Sequence, residues 1–186
     1  MCNIIRKPNE LNKKTVVVLG APRGGTSAVA LTLRCIGIYM GENLGHQHED
    51  PIFKRWNSIE KKVEIVNIRN KKFNIWGWKM PDTIHYIEQI LPHLINPHFI
   101  AVYRNPLEIA KSSSKHDKDR DLSMRLLNVP INHYKKMHKF LSEDVNPLLV
   151  CSLPEIQNDP DNFAISLANF LSVQVAQYQL TSVEHL

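Results

Sequence analysis

An α/β fold on a mainly parallel sheet is predicted by three features of the chain. Apolar, β-branched runs of strand length recur along it, segments of helical apolar spacing separate them, and a glycine-bearing turn joins the first strand to the first helix. Parallel neighbours need crossover connections, which helices between strands supply. The length of 186 residues suits one domain. That domain is expected over residues 15–186, after a segment 1–14 that mixes charges through a short apolar stretch and is expected to be disordered.

The first strand is Thr15–Leu19 (TVVVL), a run of the kind buried on both sheet faces, closed by Gly20. After the turn Ala21–Gly25, apolar residues at Val29, Leu31, Leu33 and Ile36 predict a helix from Thr26, stopped by Gly37. Gly41–Asp50 (GENLGHQHED) is polar and glycine-bearing, hence a loop. The spacing of Ile52, Phe53, Trp56, Ile59, Val63 and Val66 predicts one helix from Pro51 to about Asn70. Phe73–Trp78 reads as the second strand, and Asp82 as the cap of a helix through Leu94. His98–Tyr103 is the third strand, after which Arg104-Asn105-Pro106 opens another helix. Asp121–Glu143 is amphipathic but carries Pro130, so a kink or two helices are expected, with His133–Lys139 on a solvated face. Leu148–Ser152 is the fourth strand and Pro160–Leu171 the closing helix.

Composition narrows the function. With 43% apolar and 22% charged residues the chain is neither collagenous nor wholly disordered. The excess of 23 Lys and Arg over 18 Asp and Glu is scattered, which argues against nucleic-acid binding and suits a ligand bearing several negative charges. Cys2, Cys35 and Cys151 have unrelated spacings, against a disulfide framework or zinc site. No stretch approaches the roughly 18 apolar residues of a membrane span, so a soluble, cytoplasmic protein is expected.

The turn Gly20-Ala21-Pro22-Arg23-Gly24-Gly25-Thr26-Ser27 lies between strand and helix, where backbone N–H groups and the helix dipole attract anions. Gly20, Gly25 and Ser27 fit the phosphate-loop pattern, but Thr26 stands where nucleoside-triphosphate enzymes carry lysine. No aspartate ends another strand to help hold magnesium. A kinase reading fails on both counts. Arg104 and Ser112, eight residues apart, offer a second anion site on the same carboxyl edge of the sheet. Two anion sites on one edge imply a ligand with two separated phosphates.

These residues resemble the sulfotransferases that use 3′-phosphoadenosine-5′-phosphosulfate, of the smaller bacterial type. Ala21–Ser27 is similar to their 5′-phosphosulfate loop, and Tyr103-Arg104-Asn105-Pro106 with Ser112 to their 3′-phosphate site. Trp76-Gly77-Trp78-Lys79-Met80-Pro81 is similar to their tryptophan-lysine-x-proline segment. The resemblance implies a three-layer α/β/α fold of the nucleotide-kinase phosphate-loop type. It implies transfer of a sulfuryl group to a hydroxyl or amine of a small-molecule or glycan acceptor, without a metal. Arg23 takes the role of neutralising the bridging oxygen, Gly24, Gly25, Thr26 and Ser27 hold the 5′-phosphate, and Arg104 and Ser112 hold the 3′-phosphate. Lys79 adds charge near the transferred group. Glu49 is implied as the base that takes the acceptor's proton, with Asp50, His46 and His48 as alternatives. The late Arg-Lys-Gly segment of larger members has no counterpart, and Cys151-Ser152-Leu153 stands where relatives often have Tyr-Glu. A degenerate kinase and a non-catalytic nucleotide-binding protein are the competing readings; neither the acceptor nor the oligomeric state is legible. Trp76 and Trp78 share one side of their strand and are expected in the core or pocket wall.

Overall fold

The computed structural model describes residues 2–9, 11–116 and 123–174. Five strands, β1 (Asn3–Arg6), β2 (Lys14–Gly20), β3 (Ile75–Lys79), β4 (Pro97–Tyr103) and β5 (Leu148–Ser152), form one sheet in the order β1-β5-β4-β2-β3. β2 through β5 are mutually parallel and only β1 runs antiparallel. The helices are α1 (Thr26–Cys35), α2 (Ile59–Lys72), α3 (Ile87–Ile90), α4 (Pro106–His116), α5 (Met124–Glu143), α6 (Leu153–Asn158) and α7 (Pro160–Leu171).

Alternation along β2 divides the core. Val16 and Val18 point to one face, where Val29 and Leu33 of α1, Ile156 of α6 and Phe163 and Leu167 of α7 cover them. Val17 and Leu19 point to the other, beneath Val66 of α2, Ile87 and Ile90 of α3, and Met137 and Phe140 of α5. Both faces are therefore buried, and the uninterrupted apolar run of β2 follows from that. The result is a three-layer α/β/α sandwich whose parallel strands all end on one edge, at Gly20, Lys79, Tyr103 and Ser152. No described helix is long and apolar enough to cross a membrane.

The structure departs from the sequence reading in several places. Asn3–Arg6, placed in a disordered start, is a strand because the outer edge of β5 offers it a ladder: Asn3 stands opposite Val150 and Ile4 opposite Leu149. The helix expected from Pro51 begins only at Ile59. Before it lies a 3-10 turn, Pro51–Phe53, capped by the Asp50 carboxylate, and the Asn57 amide ties the next turn to the carbonyls of Pro51 and Ile52. Ser58 then caps α2 by accepting from the Lys61 N–H. The helix expected through Leu94 is broken into a 3-10 turn at Pro81–His85, the single turn of α3, and a further 3-10 turn at Leu91–His93, with Pro81 and Pro92 at turn starts. Pro130 does not divide α5, which continues from Met124 to Glu143. α6 was not foreseen; Ser152 and Glu155 start it with a reciprocal capping box. Residues 121 and 122, at the expected start of the Asp121–Glu143 segment, lie outside the described residues.

His133 is also corrected: it is buried on α5, not on a solvated face, whereas Lys135, Lys136, His138 and Lys139 are exposed. Burial pushes the His133 and His98 imidazoles down to about 4, with the Asn96 carbonyl only partly opposing this at His98. Both are neutral in the folded protein near pH 7, and both would bind a proton more readily once unfolded. Their stabilising contribution is thus fully present above pH 6.5 and is lost as pH falls from there towards 4. Each should cost up to about 1.4 kcal/mol per pH unit within that window. Urea melts at a series of pH values should show this slope, and His98→Gln should flatten it by one histidine's share; an unchanged slope would refute the assignment.

Candidate active site

The turn after β2 is wound tightly enough to present backbone rather than side chains. The Gly24 N–H donates to the Ala21 carbonyl at 2.9 Å, and Arg23 and Gly25 both adopt positive φ, 63° and 96°. At Gly25 a side chain would also collide with Leu153, since an added Cβ would stand 2.7 Å from its Cδ1. Gly25 caps α1 without a side-chain acceptor, and no acidic residue occupies the first turn of that helix. An anion approaching this end meets the positive end of the dipole with no competing carboxylate in that turn.

A cavity of about 360 Å³ opens beside the turn, lined by Pro22, Arg23, Gly25, Thr26, Ser27, Gln47, Glu49, Lys79 and Ser113. Lys79 ends β3, and pairing of Val18 with Lys79 places it next to β2. Its side chain is only 2% exposed. The ammonium donates to Glu49 Oε1 at 3.0 Å, to the Gln47 carbonyl at 2.8 Å and to Ser27 Oγ at 3.3 Å. Burial lowers the Lys79 pKa, and the Glu49 carboxylate opposes that shift by favouring the charged form.

Arg104 follows β4. Its backbone N–H donates to the Tyr134 hydroxyl at 2.9 Å and that hydroxyl donates back to the Arg104 carbonyl at 3.1 Å, while its guanidinium donates to the Arg23 carbonyl at 3.0 Å. Ser112, two turns into α4, accepts from Arg23 Nε at 3.3 Å. Arg23, Arg104 and Ser112 therefore meet on the same sheet edge as the cavity. Every sequence-selected donor residue falls in this region, although Thr26 is buried with its methyl towards Gly20.

Of the other proton-acceptor candidates, Asp50 and His48 have other partners. Asp50 is fully buried in an ion pair with Arg69 at 2.6 Å, and its second oxygen caps the Ile52 N–H. Burial raises the Asp50 pKa, with Arg69 opposing it. The Arg69 guanidinium itself lies among the rings of Tyr39, Phe53 and Trp76, 5.3, 5.6 and 5.4 Å from their centroids. His48 accepts from Arg34 through Nδ1 at 3.0 Å, and burial and Arg34 together lower its pKa. His46 is exposed. Trp76 and Trp78 are buried, and their indole N–H groups donate to Asn70 and Thr83. Gln47 and Ser113 went unnoticed in the sequence. Ser113 could have been found as the neighbour of Ser112 on α4; Gln47 carried no signal, because its backbone carbonyl does the work.

No protein-family model and no curated protein sequence matches the chain. Solved structures do. The sulfotransferase domain of an olefin synthase from Synechococcus PCC 7002 superposes with a TM-score of 0.63 at 14% identity, over 96% of this chain and 78% of that one. The sulfotransferase domain from the curacin biosynthetic pathway gives 0.63 at 15% identity, with the same coverage of 96% and 78%. A mouse sulfotransferase complexed with PAP gives 0.57 at 16% identity, over 97% of this chain and 65% of that one. The chain has the fold of these sulfotransferases, a phosphate-loop α/β/α sandwich with a mostly parallel sheet.

Proposed function

We propose that the protein is a sulfotransferase that takes a sulfuryl group from 3′-phosphoadenosine-5′-phosphosulfate and places it on a hydroxyl or amine of a small-molecule or glycan acceptor. The observation that carries this reading is the convergence, on one sheet edge, of the uncapped α1 terminus, the Glu49–Lys79 pair and the Arg23–Arg104–Ser112 cluster. The first suits the 5′-phosphosulfate and the last suits the 3′-phosphate. The donor set also suits the chemistry, since it is cationic and no carboxylate ends β3, β4 or β5 in the place where a magnesium ligand would be needed.

In the reaction, Glu49 accepts the acceptor's proton as its oxygen or nitrogen attacks sulfur, and the bond from sulfur to the bridging phosphate oxygen breaks. Negative charge grows on that oxygen. Arg23, Lys79 and the α1 N–H groups stabilise it, which is the larger part of what such a transfer asks of the protein. Protonation of Glu49 also removes the countercharge 3.0 Å from Lys79. The ammonium then directs its full field at the leaving group.

Calorimetric titration with 3′-phosphoadenosine-5′-phosphate, in parallel with ATP plus magnesium, tests the donor assignment. Micromolar, metal-independent binding of the bisphosphate is expected, and Arg104→Ala should weaken it about 100-fold through loss of charge-assisted hydrogen bonds. Tight ATP binding that requires magnesium would favour a kinase instead. Binding of neither would leave a scaffold without this ligand.

A further inference from the structure

The chain's two most separated cysteines meet at the sheet edge. Asn3 opposite Val150 and Ile4 opposite Leu149 set an antiparallel register that brings the preceding residue, Cys2, against the following one, Cys151. Opposed residues in such a ladder have Cα atoms about 4.5–5.5 Å apart. That spacing lies inside the range a disulfide spans. Both thiols are free, and the Cys151 S–H donates to the Ala101 carbonyl at 3.7 Å. They differ in access: Cys151 is 2% exposed, whereas Cys2 is half-buried and lines a cavity of about 230 Å³ with Glu155, Asn158 and Asn162.

We propose that Cys2 and Cys151 form a peroxide-sensitive dithiol, a modification site in which oxidation joins β1 to β5 by an intramolecular disulfide. The Cys2 thiolate attacks a peroxide oxygen and breaks the O–O bond; it becomes a sulfenic acid, and the peroxide is reduced to water or an alcohol. The Cys151 sulfur then attacks the sulfenic sulfur, and the displaced hydroxide leaves as water with the Cys151 proton. Two thiols lose two electrons and the peroxide gains them. The order of events follows from the environment. The neighbouring Cys151 thiol holds the Cys2 thiol below its ordinary pKa, while Cys2 and burial push the Cys151 thiol well up. Cys2 is thus both the reachable sulfur and the better nucleophile, with Cys151 placed to resolve it.

The test uses the full reduced chain, treated with a few equivalents of hydrogen peroxide, alkylated, digested and mapped by mass spectrometry. A Cys2–Cys151 linked peptide, lighter by about 2 Da than the two free peptides together, is expected while Cys35 remains alkylated. In Cys151→Ser, Cys2 should persist as a sulfenic acid that a cyclic 1,3-dione captures, and Cys2→Ser should yield no intramolecular cross-link. The proposal is overturned if Cys35 oxidises while Cys2 stays alkylatable, or if Cys2 appears only in cross-links between molecules.

Discussion

Asp50→Ala is expected to destabilise the protein by about 3–5 kcal/mol, the cost of leaving one member of a buried ion pair without its partner. Arg69 would remain 5% exposed among three aromatic rings with no carboxylate to neutralise it. The same substitution removes the acceptor that starts the Pro51–Phe53 turn, a cap worth about 1 kcal/mol in its own right. At about 2–4 °C per kcal/mol for a chain of this size, the melting temperature should fall by roughly 10 °C or more. Thermal denaturation followed by circular dichroism measures it. A melt within a degree or two of the parent would mean that the carboxylate is not the countercharge of Arg69.

The neighbouring residue should behave in the opposite way. Glu49→Gln keeps the shape and an acceptor oxygen for Lys79 but removes the proton-accepting charge, and turnover should drop by about 10²–10⁴-fold, the usual range for loss of a general base. Its carboxylate is 30% exposed at the cavity wall, and the buried Lys79 ammonium keeps the Gln47 carbonyl and Ser27 hydroxyl as acceptors, so the loss of stability should be smaller than at Asp50. The expected signature is a large loss of kcat with a smaller fall in melting temperature than for Asp50→Ala and no loss of affinity for 3′-phosphoadenosine-5′-phosphate, because the charge removed is the one that opposes an anion beside Lys79. Turnover within twofold of the parent would reject Glu49 as the base and move attention to His46 or His48. Adjacent carboxylates thus separate into one that holds the loop and one that faces the cavity.

The physical ground for that separation was not legible in the sequence, where the family resemblance alone set Glu49 ahead of Asp50, His46 and His48 in one polar loop. What distinguishes them is distant: Arg69 on α2 claims Asp50, Arg34 on α1 claims His48, and Lys79 on β3 claims Glu49. The strands of the parallel sheet were legible because burial on both faces writes itself as unbroken apolar runs, and the phosphate turn because its glycines mark where backbone must bend. β1 was not, since four residues carry too little pattern and its pairing depends on the free edge of β5. The broken helices after Asp50 and Lys79 misled for a related reason. Their apolar spacing is helical, but in the first the side chains of Asp50 and Asn57 take up backbone hydrogen bonds, and in the second Pro81 and Pro92 start new turns.

The two hydrogen bonds between Tyr134 and the Arg104 backbone have a thermodynamic meaning. With its N–H and carbonyl both clamped from α5, Arg104 cannot swing at the main chain, and only its side-chain torsions remain to be ordered by a ligand. The entropy of placing the arginine is then settled during folding and not charged against binding, which is preorganisation of an anion receptor by a residue that need not touch the anion.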